Sequence, residues 1–364
     1  MKNNQLHIDF KLNGNSFSTS DELISYSANL SKSTHQFLRD WFSKSAFIEV
    51  KTSGSTGKPK MIHLKKEFMM NSALATGAFF NLPENTTALL CMSTDYIAGK
   101  MMLVRALGLG WSLDVVDTVS NPLKGLEKHY DFSAMVPMQL QSSFSEIEKV
   151  KKLIVGGGIV SEDLESQLQG VSTEIFATFG MTETITHIAV KKLNQFKNVT
   201  SSTVEKSYYQ VLPNVSISQD HRNCLIIDAP KVSEERISTN DVVELISKTE
   251  FKWLGRYDNV INSGGIKLHP EEIEKKLSQI INQRFFVAGI PDEVLGEKLI
   301  LVIESDVSLS AAEKSLLKQI ETNFAAPNSL SKYEIPKKIY FVAQFVETDT
   351  KKIQRSKTIK NCNL

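Results

Sequence analysis

Short apolar runs and helix-like stretches alternate between residues 86 and 179. The predicted strands are TALLCMS, SLDVVD, SAMVPM, KKLIVGG and TEIFATF, and the predicted helices are AGKMMLVRALGLG and SEDLESQLQ. Buried strands that alternate with helices are typical of α/β domains with largely parallel strand pairing. The pattern therefore predicts a large N-terminal α/β domain.

The pattern changes after residue 203. Strands such as NCLIIDAP and DVVELIS follow one another without intervening helices up to residue 255. Consecutive strands of this kind pair with their neighbours in sequence rather than with strands across a helix. We therefore expect a small β subdomain at the end of the α/β domain.

The chain changes character again past residue 265. HPEEIEKKLSQII is a predicted helix, because Pro270 suits a first helical turn and apolar residues recur at helical spacing. These apolar residues are Ile273, Leu277, Ile280 and Ile281. FFVAGIP, KLILVIES and KKIYFVAQF are predicted strands, and AAEKSLLKQIETNF is a further predicted helix. We expect a small α+β domain of about 100 residues, with domains at 1–255 and 256–364 and a boundary between Arg256 and Gly265.

The composition is that of a globular protein with balanced charge. Hydrophobic residues make up 41% of the 364 residues and charged residues 23%. Lys and Arg number 42 against 41 for Asp and Glu, which argues against nucleic acid as a partner, since such partners need a strongly basic surface. No apolar run approaches the roughly 20 residues of a membrane-spanning helix, so we expect no membrane insertion.

The N-terminus and the cysteines indicate a cytoplasmic protein. The first residues lack the basic start, apolar core and cleavage site of a secretory signal. Cys91, Cys224 and Cys362 are odd in number and form no CxxC pair, so we expect reduced thiols and no structural zinc site. The sequence leaves a homo-oligomer open.

Residues 52–60, TSGSTGKPK, follow the strand-like run AFIEVK. Hydroxyls and glycine amides in such a loop can surround a polyphosphate, and Lys58 and Lys60 can neutralise it. A P-loop GTPase or ATPase is disfavoured, because only two residues separate Gly54 from Gly57 and a proline follows the lysine. The plain alternative is a flexible turn rich in Ser and Gly. The candidate ATP-binding residues are Thr52, Ser53, Gly54, Ser55, Thr56, Gly57 and Lys58.

Six motifs in a fixed order resemble one enzyme family. They are TSGSTGKPK (52–60), GGG (156–158), ATFGMTET (177–184), TNDVVEL (239–245), WLGRYDNVINSGGIKLHPEEIE (253–274) and FVAGIPDEVLGEKL (286–299). The series resembles the acyl-adenylate-forming enzymes, which include acyl-CoA synthetases, luciferases and the adenylation domains of peptide synthetases. The resemblance runs from about residue 50 to the C-terminus and is far more specific than any one motif.

By this resemblance, the motif FGMTE binds ATP. Phe179 would lie against adenine, Thr182 would contact the α-phosphate and Glu183 would hold Mg²⁺, with Gly180 as a further ATP-binding candidate. The chemistry agrees, because Mg²⁺ bound with nucleotide phosphates takes one or two carboxylates. Family members often have Tyr where Phe179 stands, so a hydroxyl contact is lost here. The alternative is a core aromatic residue beside a solvated acid.

The resemblance also assigns a ribose site and a hinge. Asp241 and Arg256 match the family's ribose-binding pair, whereas Asp241 alone would be an ordinary turn acid. In the family, a mobile C-terminal domain rotates between two half-reactions about a residue that matches Asp258. Gly264 and Gly265 would then lie on the CoA side, where close backbone approach favours glycine. Many relatives read Gly-Gly-Glu-Asn where this chain has Gly-Gly-Ile-Lys, so contacts through those two side chains are not carried over.

The tail carries a lysine motif. Relatives end with a Thr-x-x-Gly-Lys-Ile-x-Arg-like run, and this chain reads TDTKKIQR at 348–355. Lys352 aligns with the catalytic adenylation lysine, while Lys351 replaces the usual glycine, and the sequence leaves open which of the two acts. A lysine there would offset the charge that develops between the α-phosphate and the leaving pyrophosphate. The alternative is a solvated basic tail.

The choice of acid depends on the segment STDYIAGKMMLVR, residues 93–105. The form of this segment resembles that of short bacterial O-succinylbenzoate–CoA ligases of menaquinone biosynthesis. The short stretch of about 50 residues before the phosphate loop is a second point of similarity to them. Arg105 would hold the carboxylate that does not react, because a guanidinium suits bidentate carboxylate binding. The alternative is an Arg that reaches solvent at the helix edge, and Lys100 is a second candidate cation. The further predicted substrate-binding residues are Tyr96, which replaces a His of relatives, Gly156 and Gly157.

The sequence thus predicts an AMP-forming acid–thiol ligase that uses ATP, Mg²⁺ and CoA with a small-molecule carboxylate. Two rival enzymes stay open, namely another aryl- or fatty-acyl-CoA ligase and an adenylation enzyme that loads a carrier protein. A reading from a different class is a non-catalytic nucleotide-binding module, which would fit the unusual lysine motif and the short N-terminal lobe.

Overall fold

The computed structural model describes residues 6–51, 60–194, 208–305, 316, 320, 330–348 and 353–361. The helices up to residue 255 are α1 (Ser20–Ser27), α2 (Lys32–Phe42), α3 (Lys66–Phe80), α4 (Ile97–Leu109), α5 (Pro137–Ser142) and α6 (Glu162–Gln167). The strands of that part are β1 (Lys11–Leu12), β2 (Asn15–Ser16), β3 (Phe47–Lys51), β4 (Met61–Lys65), β5 (Thr87–Leu90), β6 (Ser112–Val115), β7 (Tyr130–Met135), β8 (Val150–Val155), β9 (Glu174–Gly180), β10 (His187–Lys192), β11 (Tyr209–Val211), β12 (Ser216–Gln219), β13 (Cys224–Asp228), β14 (Ile237–Leu245) and β15 (Glu250–Arg256).

One long sheet organises this part of the chain. Its described strands lie in the order β12-β13-β14-β15-β11-β10-β9-β8-β7-β5-β6-β1-β2. Neighbouring strands from β5 to β9 are parallel, which confirms the predicted α/β fold. The strands from β9 through β10 and β11 to β15 are antiparallel. The predicted β subdomain is therefore the antiparallel half of the same sheet, joined to the parallel half through β11.

Helix α4 is almost entirely apolar and is buried between the sheet and α3. Its residues from Met101 to Leu107 are all buried, so the helix belongs to the core rather than to an amphipathic surface layer. Gly99, near its start, is required by crowding, because a Cβ there would come 2.3 Å from the backbone oxygen of Ser93. This close approach fixes the turn between β5 and α4, which carries Tyr96.

The predicted strand SAMVPM is only half right. The strand β7 ends at Met135, and Pro137 starts helix α5. Proline lacks the N–H that a ladder needs, whereas the first turn of a helix has no partner for that N–H. The chain therefore changes from strand to helix at the proline.

A second sheet and a second core lie beyond residue 260. The strands are β16 (Ile261–Ser263), β17 (Ile266–Leu268), β18 (Phe285–Asp292), β19 (Gly296–Glu304) and β20 (Lys338–Val342), and the helices are α7 (Pro270–Leu277) and α8 (Arg355–Asn361). Pro270 is in the first turn of α7 as predicted, and Ile273 and Leu277 are fully buried against the sheet. The helix ends earlier than predicted, because Ile280 and Ile281 follow its C-terminal turn. The separate sheet is what a boundary between Arg256 and Gly265 would produce, and the division itself stays a prediction.

Two further expectations concern the chain as a whole. None of the helices in the described ranges combines the length and the apolar character needed to cross a membrane. Cys91 and Cys224 are buried and free, which agrees with the expected reduced thiols, while Cys362 lies outside the described residues. The predicted helix AAEKSLLKQIETNF also lies outside them, apart from Leu316 and Ile320.

Candidate active site

The carboxyl ends of the parallel strands carry several of the predicted site residues. Gly156 follows β8 directly, and a Cβ on it would come 2.4 Å from the Thr178 hydroxyl on β9. Gly157 has φ +81°, a conformation that favours glycine. The glycine turn therefore lies tightly against the end of β9, at the edge where open α/β sheets bind their ligands.

Phe179, near the end of β9, belongs to an aromatic cluster. Its ring centroid lies 5.8 Å from that of Tyr209 on β11 and 5.2 Å from that of Phe251 on β15, in edge-on arrangements. Phe251 is fully buried, whereas Phe179 is only partly buried. The cluster thus supports one edge of the Phe179 ring and leaves part of it accessible, which suits an adenine platform. Its role there stays a prediction.

Thr182 and Glu183 lie on a single turn of 3₁₀-helix between β9 and β10. The buried Thr184 hydroxyl fixes this turn, since it accepts the backbone N–H of Met181 at 3.1 Å. Ile185, which ends the turn, has φ +66°, a strained value for a β-branched residue. The Glu183 side chain is exposed. An exposed carboxylate on a rigid turn fits Mg²⁺, which usually takes one or two protein carboxylates and otherwise phosphate and water oxygens.

Asp241 lies within β14, directly opposite Arg256 on β15, so the reading as a turn acid is wrong. Its carboxylate accepts a hydrogen bond from Nε1 of Trp253 at 3.0 Å, and the Arg256 guanidinium lies 3.7 Å away. Burial raises the pKa of Asp241, and the hydrogen bond from Trp253 and the charge of Arg256 oppose that rise. The acid is therefore held by its neighbours with one oxygen facing the guanidinium. Trp253 was not predicted, although it stands in the matched motif WLGRYD.

Asp258 lies on a short 3₁₀ turn between β15 and β16. Its carboxylate accepts hydrogen bonds at 3.3 Å from the Asn240 amide and from the Arg256 guanidinium. Arg256 thus bridges the predicted ribose acid, Asp241, and the predicted hinge acid. These contacts are half-exposed, so each holds the turn only weakly.

Polar contacts join α7 and the residues just after it to β15 and α6 in the first part of the chain. Lys252 on β15 pairs with Glu272 at 2.5 Å, and Glu162 on α6 pairs with Lys275 at 3.1 Å. Glu162 also accepts a hydrogen bond of 2.7 Å from Gln279. Partly exposed ion pairs of this kind contribute about 1 kcal/mol or less each. A rotation about Asp258 would break them at little cost.

Gly264 and Gly265 form the turn between β16 and β17, with φ values of +61° and +81°. Both are exposed, and the backbone N–H of Gly264 donates to the carbonyl of Leu295 at 2.8 Å. Positive φ explains why glycine stands at both positions. Their assignment to the CoA side stays a prediction.

The phosphate loop and the lysine motif lie outside the described residues, apart from their flanks. A β-bridge joins Glu347 to Ile353, which flank Lys351 and Lys352 in the sequence. Beyond the bridge, Arg355 pairs with Glu274 at 2.9 Å and with Glu271 at 3.4 Å. Sequence reasoning did not identify this network, although Arg355 is the last residue of the tail motif.

Glu271 and Glu274 project from α7 and connect this tail to the predicted hinge turn. Burial raises the pKa of Glu274 to about 7 despite the attraction of Arg355. Glu271 accepts a hydrogen bond of 2.6 Å from Asn259, the last residue of the hinge turn. It also packs on Gly255, where a Cβ would come 2.2 Å from its carboxylate. One helical turn of α7 therefore contacts both the hinge and the tail.

Arg105 is buried, with 1% of its surface exposed, so the alternative of an Arg that reaches solvent is wrong. Its Nε donates to the Thr76 hydroxyl at 3.3 Å, and its Nη1 lies 3.7 Å from the sulfur of Met102. Nη2 has no hydrogen-bond partner among the residues the structure describes. Burial lowers the pKa of Arg105 to about 9. Within the described ranges this guanidinium therefore has no counter-ion.

The other two predicted residues of this region differ from Arg105. Lys100 donates to the carbonyl of Thr94 and lies over the ring of Phe37 at 5.5 Å, so its ammonium is already satisfied. Tyr96 precedes the first turn of α4 and is 49% exposed, which leaves its ring accessible at the carboxyl edge of the sheet. Arg105 is therefore the better candidate cation.

His187, the first residue of β10, was not predicted. It is 5% exposed, and its Nε2 lies 3.5 Å from the Thr76 hydroxyl that also accepts from Arg105. Burial, and to a smaller extent the charge of Arg105, lowers its pKa well below the ordinary value of histidine. It also lines a cavity of about 290 Å³ between α3 and the antiparallel half of the sheet. The matched motif ends at Thr184, so no predicted motif includes His187.

Comparisons with known proteins agree with this architecture. A family model described as AMP-binding enzyme matches residues 50–219. A 2-succinylbenzoate–CoA ligase of Enterococcus faecalis is 24% identical over an alignment of 333 residues, and the match covers 84% of this chain and 67% of that protein. The chain spans about two thirds to three quarters of the length of such curated relatives.

Two solved structures extend the comparison. The o-succinylbenzoate CoA synthetase (MenE) from Bacillus subtilis, in complex with the acyl-adenylate intermediate OSB-AMP, has a TM-score of 0.71 at 17% identity, with 93% of this chain and 80% of that chain covered. An acyl-CoA synthetase (AMP-forming)/AMP-acid ligase II-like protein from Dyadobacter fermentans is 35% identical with a TM-score of 0.59, and the match covers 94% of this chain and 98% of that one. The chain therefore belongs to the AMP-binding enzyme family, as an AMP-forming acyl-CoA synthetase.

Proposed function

We propose that the protein is an ATP-dependent carboxylate–CoA ligase that acts on 2-succinylbenzoate in menaquinone biosynthesis. In the first half-reaction the carboxylate attacks the α-phosphate of ATP, which forms the acyl-adenylate and releases pyrophosphate. In the second, the thiol of CoA displaces AMP and forms the thioester. Curated relatives that carry the name 2-succinylbenzoate–CoA ligase support the choice of acid.

The observation that carries the choice of acid is the buried Arg105. A guanidinium taken out of water without a counter-ion is costly, and pairing with a carboxylate removes most of that cost. In the described part of the chain no acid pairs with it. A dicarboxylic substrate would supply the missing anion through the carboxylate that does not react. A simple fatty acid would leave Arg105 without a partner.

The residues at the carboxyl edge of the sheet would hold ATP. Phe179 offers a partly exposed ring for adenine, while Asp241 and Arg256 offer an acceptor and donors for the ribose hydroxyls. Thr182, with Thr52, Ser53, Gly54, Ser55, Thr56, Gly57 and Lys58 of the loop, would contact the phosphates. Mg²⁺ on Glu183 would neutralise phosphate charge.

ATP–pyrophosphate exchange across a panel of acids tests this function. We expect 2-succinylbenzoate to support exchange and CoA to be converted to its thioester. Exchange with a fatty acid or a simple aryl acid instead would identify another acyl-CoA ligase, and transfer only to a pantetheinyl carrier protein would identify a loading enzyme. Tight ATP binding without pyrophosphate release for any acid would identify a non-catalytic module.

The hinge assignment predicts a split between the half-reactions. Proline at position 258 fits a 3₁₀ turn but fixes φ near −65°, so it should hold the domains in one arrangement. We expect Asp258→Pro to retain pyrophosphate exchange and to lower thioester formation from supplied acyl-adenylate and CoA by at least about tenfold. Asp258→Ala is the control, because it removes the contacts with Asn240 and Arg256 without fixing the backbone. Unchanged turnover in the proline variant would remove the hinge from residue 258.

We infer a cytoplasmic enzyme with small-molecule substrates. The support is the pair of buried, free cysteines, Cys91 and Cys224, which suit a reducing compartment. ATP and CoA are themselves cytoplasmic cosubstrates of biosynthesis.

A further inference from the structure

Arg105 is one of two basic side chains buried at the same point of the core. Arg105 reaches the point from α4, and His187 reaches it from β10. Both contact the hydroxyl of Thr76 on α3, at 3.3 Å from Arg105 Nε and 3.5 Å from His187 Nε2. The Thr76 hydroxyl itself donates a hydrogen bond to the carbonyl of Ser72 at 3.0 Å. Helix α4 and strand β10 therefore direct one guanidinium and one imidazole at a single acceptor on α3.

The hydrogen bonds of His187 are weak for a buried ring. Its contacts with the hydroxyls of Thr76 and Thr186 are both 3.5 Å long, which is at the limit for a hydrogen bond. A buried polar side chain normally finds a well-placed partner. The His187 ring and the free Nη2 of Arg105 thus both lack a well-placed hydrogen-bond acceptor.

The charges that act on His187 are all positive among the described residues around it. Arg105 is the charge that acts on His187, from α4. The cavity that His187 lines also has Asn71 and Ser72 of α3 and Lys231, from the segment after β13, in its wall. No carboxylate in the described ranges contributes to its ionisation. The imidazole is neutral in this arrangement, because burial and Arg105 both oppose its protonation.

We propose that His187 and Arg105 together bind the non-reacting carboxylate of the acid, and that His187 takes up a proton from solvent when that carboxylate arrives. The inference rests on the proposed function, since it requires a dicarboxylic substrate. An incoming anion neutralises the charge of Arg105 and supplies an acceptor for Nε2–H. Both effects favour the imidazolium, so the two groups become a pair of charged donors on one carboxylate. His187 is then a specificity-determining residue of the acid pocket.

Proton uptake on binding gives a definite pH dependence. The group binds more protons in the complex than in the free enzyme, so affinity for the acid falls as pH rises. In the free enzyme, burial and the charge of Arg105 hold the pKa of His187 well below the ordinary value of histidine, so the proton is taken up on binding. The loss of affinity therefore ends at the raised pKa of the complex. A substrate without the non-reacting carboxylate should show no such trend.

The experiment measures KM and kcat for pyrophosphate exchange between pH 6 and 8.5. The substrates are 2-succinylbenzoate and its two monocarboxylate analogues, 3-benzoylpropionate and 2-butyrylbenzoate, which between them lack each carboxylate in turn. For the wild type we expect the ratio of kcat/KM for the diacid to kcat/KM for the monoacid that keeps the reactive carboxylate to decrease as pH rises. Use of the ratio cancels the ionisation of ATP and its magnesium complex.

Two substitutions separate the roles of His187. His187→Gln keeps a neutral donor and should raise KM for the diacid about tenfold or more with kcat little changed, and it should abolish the pH trend. His187→Leu removes the donor and should raise KM further. Neither should change KM for the monoacid or for ATP.

Each failure has its own signature. A wild type that prefers a monoacid overturns the proposed function rather than the role of His187. A diacid preference that Arg105→Ala abolishes and His187→Gln leaves intact overturns the role of His187 and keeps the proposed function. A raised KM in His187→Gln with no pH trend in the wild type overturns proton uptake. An equal loss for diacid and monoacid, with a lowered thermal unfolding temperature, shows that His187 only packs the core.

Discussion

Lys352→Ala is expected to lower acyl-adenylate formation by about two to three orders of magnitude, the size seen when one preorganised donor to a developing charge is removed. In the adenylating arrangement this ammonium would lie between the α-phosphate and the leaving pyrophosphate. Thioester formation from supplied acyl-adenylate and CoA should change little, because in the proposed rotation the C-terminal domain would present Gly264 and Gly265 in place of the lysine. The two half-reactions are measured separately, by pyrophosphate exchange and by thioester yield.

The neighbouring lysine is the matched control for this variant. Lys351 stands where relatives have glycine, so Lys351→Ala should leave both half-reactions near the wild-type rate. If the defect appears only in Lys351→Ala, the alignment of the motif is shifted by one residue. An equal loss of both half-reactions in Lys352→Ala would show that the residue supports the domain rather than the adenylation step.

Arg105→Ala is expected to reduce kcat/KM for 2-succinylbenzoate by about two to four decades. The estimate follows from the cost of removing one partner of a buried ion pair, about 3–5 kcal/mol. The variant would leave the non-reacting carboxylate in the core without its guanidinium. The reactive monocarboxylate analogue should be a poor substrate for the wild type and should be affected little by the substitution. Steady-state pyrophosphate exchange with both acids gives the comparison.

Helix α4 offers a control for Arg105. Lys100 lies on the same helix, but its ammonium is satisfied by the Thr94 carbonyl and the ring of Phe37, so Lys100→Ala should leave the diacid preference intact. A parallel loss of diacid and monoacid activity in Arg105→Ala would make Arg105 structural. A wild type that prefers the monoacid outright would replace the proposed substrate with a simpler acid.

Most of the fold could be predicted from local patterns. The parallel strands β5, β7, β8 and β9 and the helix α4 were predicted from apolar runs, because strand burial and helix burial both leave a signature within about ten residues. The error at SAMVPM arose because apolar character continues across Pro137 while the hydrogen bonding changes. The joining of the antiparallel strands to the parallel ones through β11 could not be predicted, since that pairing links residues distant in sequence.

The site was predictable only where single residues carry the chemistry. Arg105 could be found because a charged residue in an apolar helix is costly, and the structure confirms its burial. His187 and Trp253 could not, because each gains its meaning from a partner on another element. His187 needs Thr76 on α3 and Arg105 on α4, and Trp253 needs Asp241 across a strand pair. Spacing along the sequence does not indicate such contacts between residues on different elements.

The anchoring of the tail affects how the protein can be recombined with its relatives. The bridge between Glu347 and Ile353 joins residues that flank Lys351 and Lys352 in the sequence. Arg284 pairs with Glu347 before the two lysines, and Arg355 pairs with α7 after them. The partners of the tail thus come from residues 271–304, far upstream of it. A chimera that exchanges residues 256–364 as one block keeps every one of these pairings. A chimera that exchanges only the last twenty or so residues instead combines a foreign tail with pairing residues from a different protein. The natural unit of exchange in this chain therefore includes residues 271–304 together with the tail.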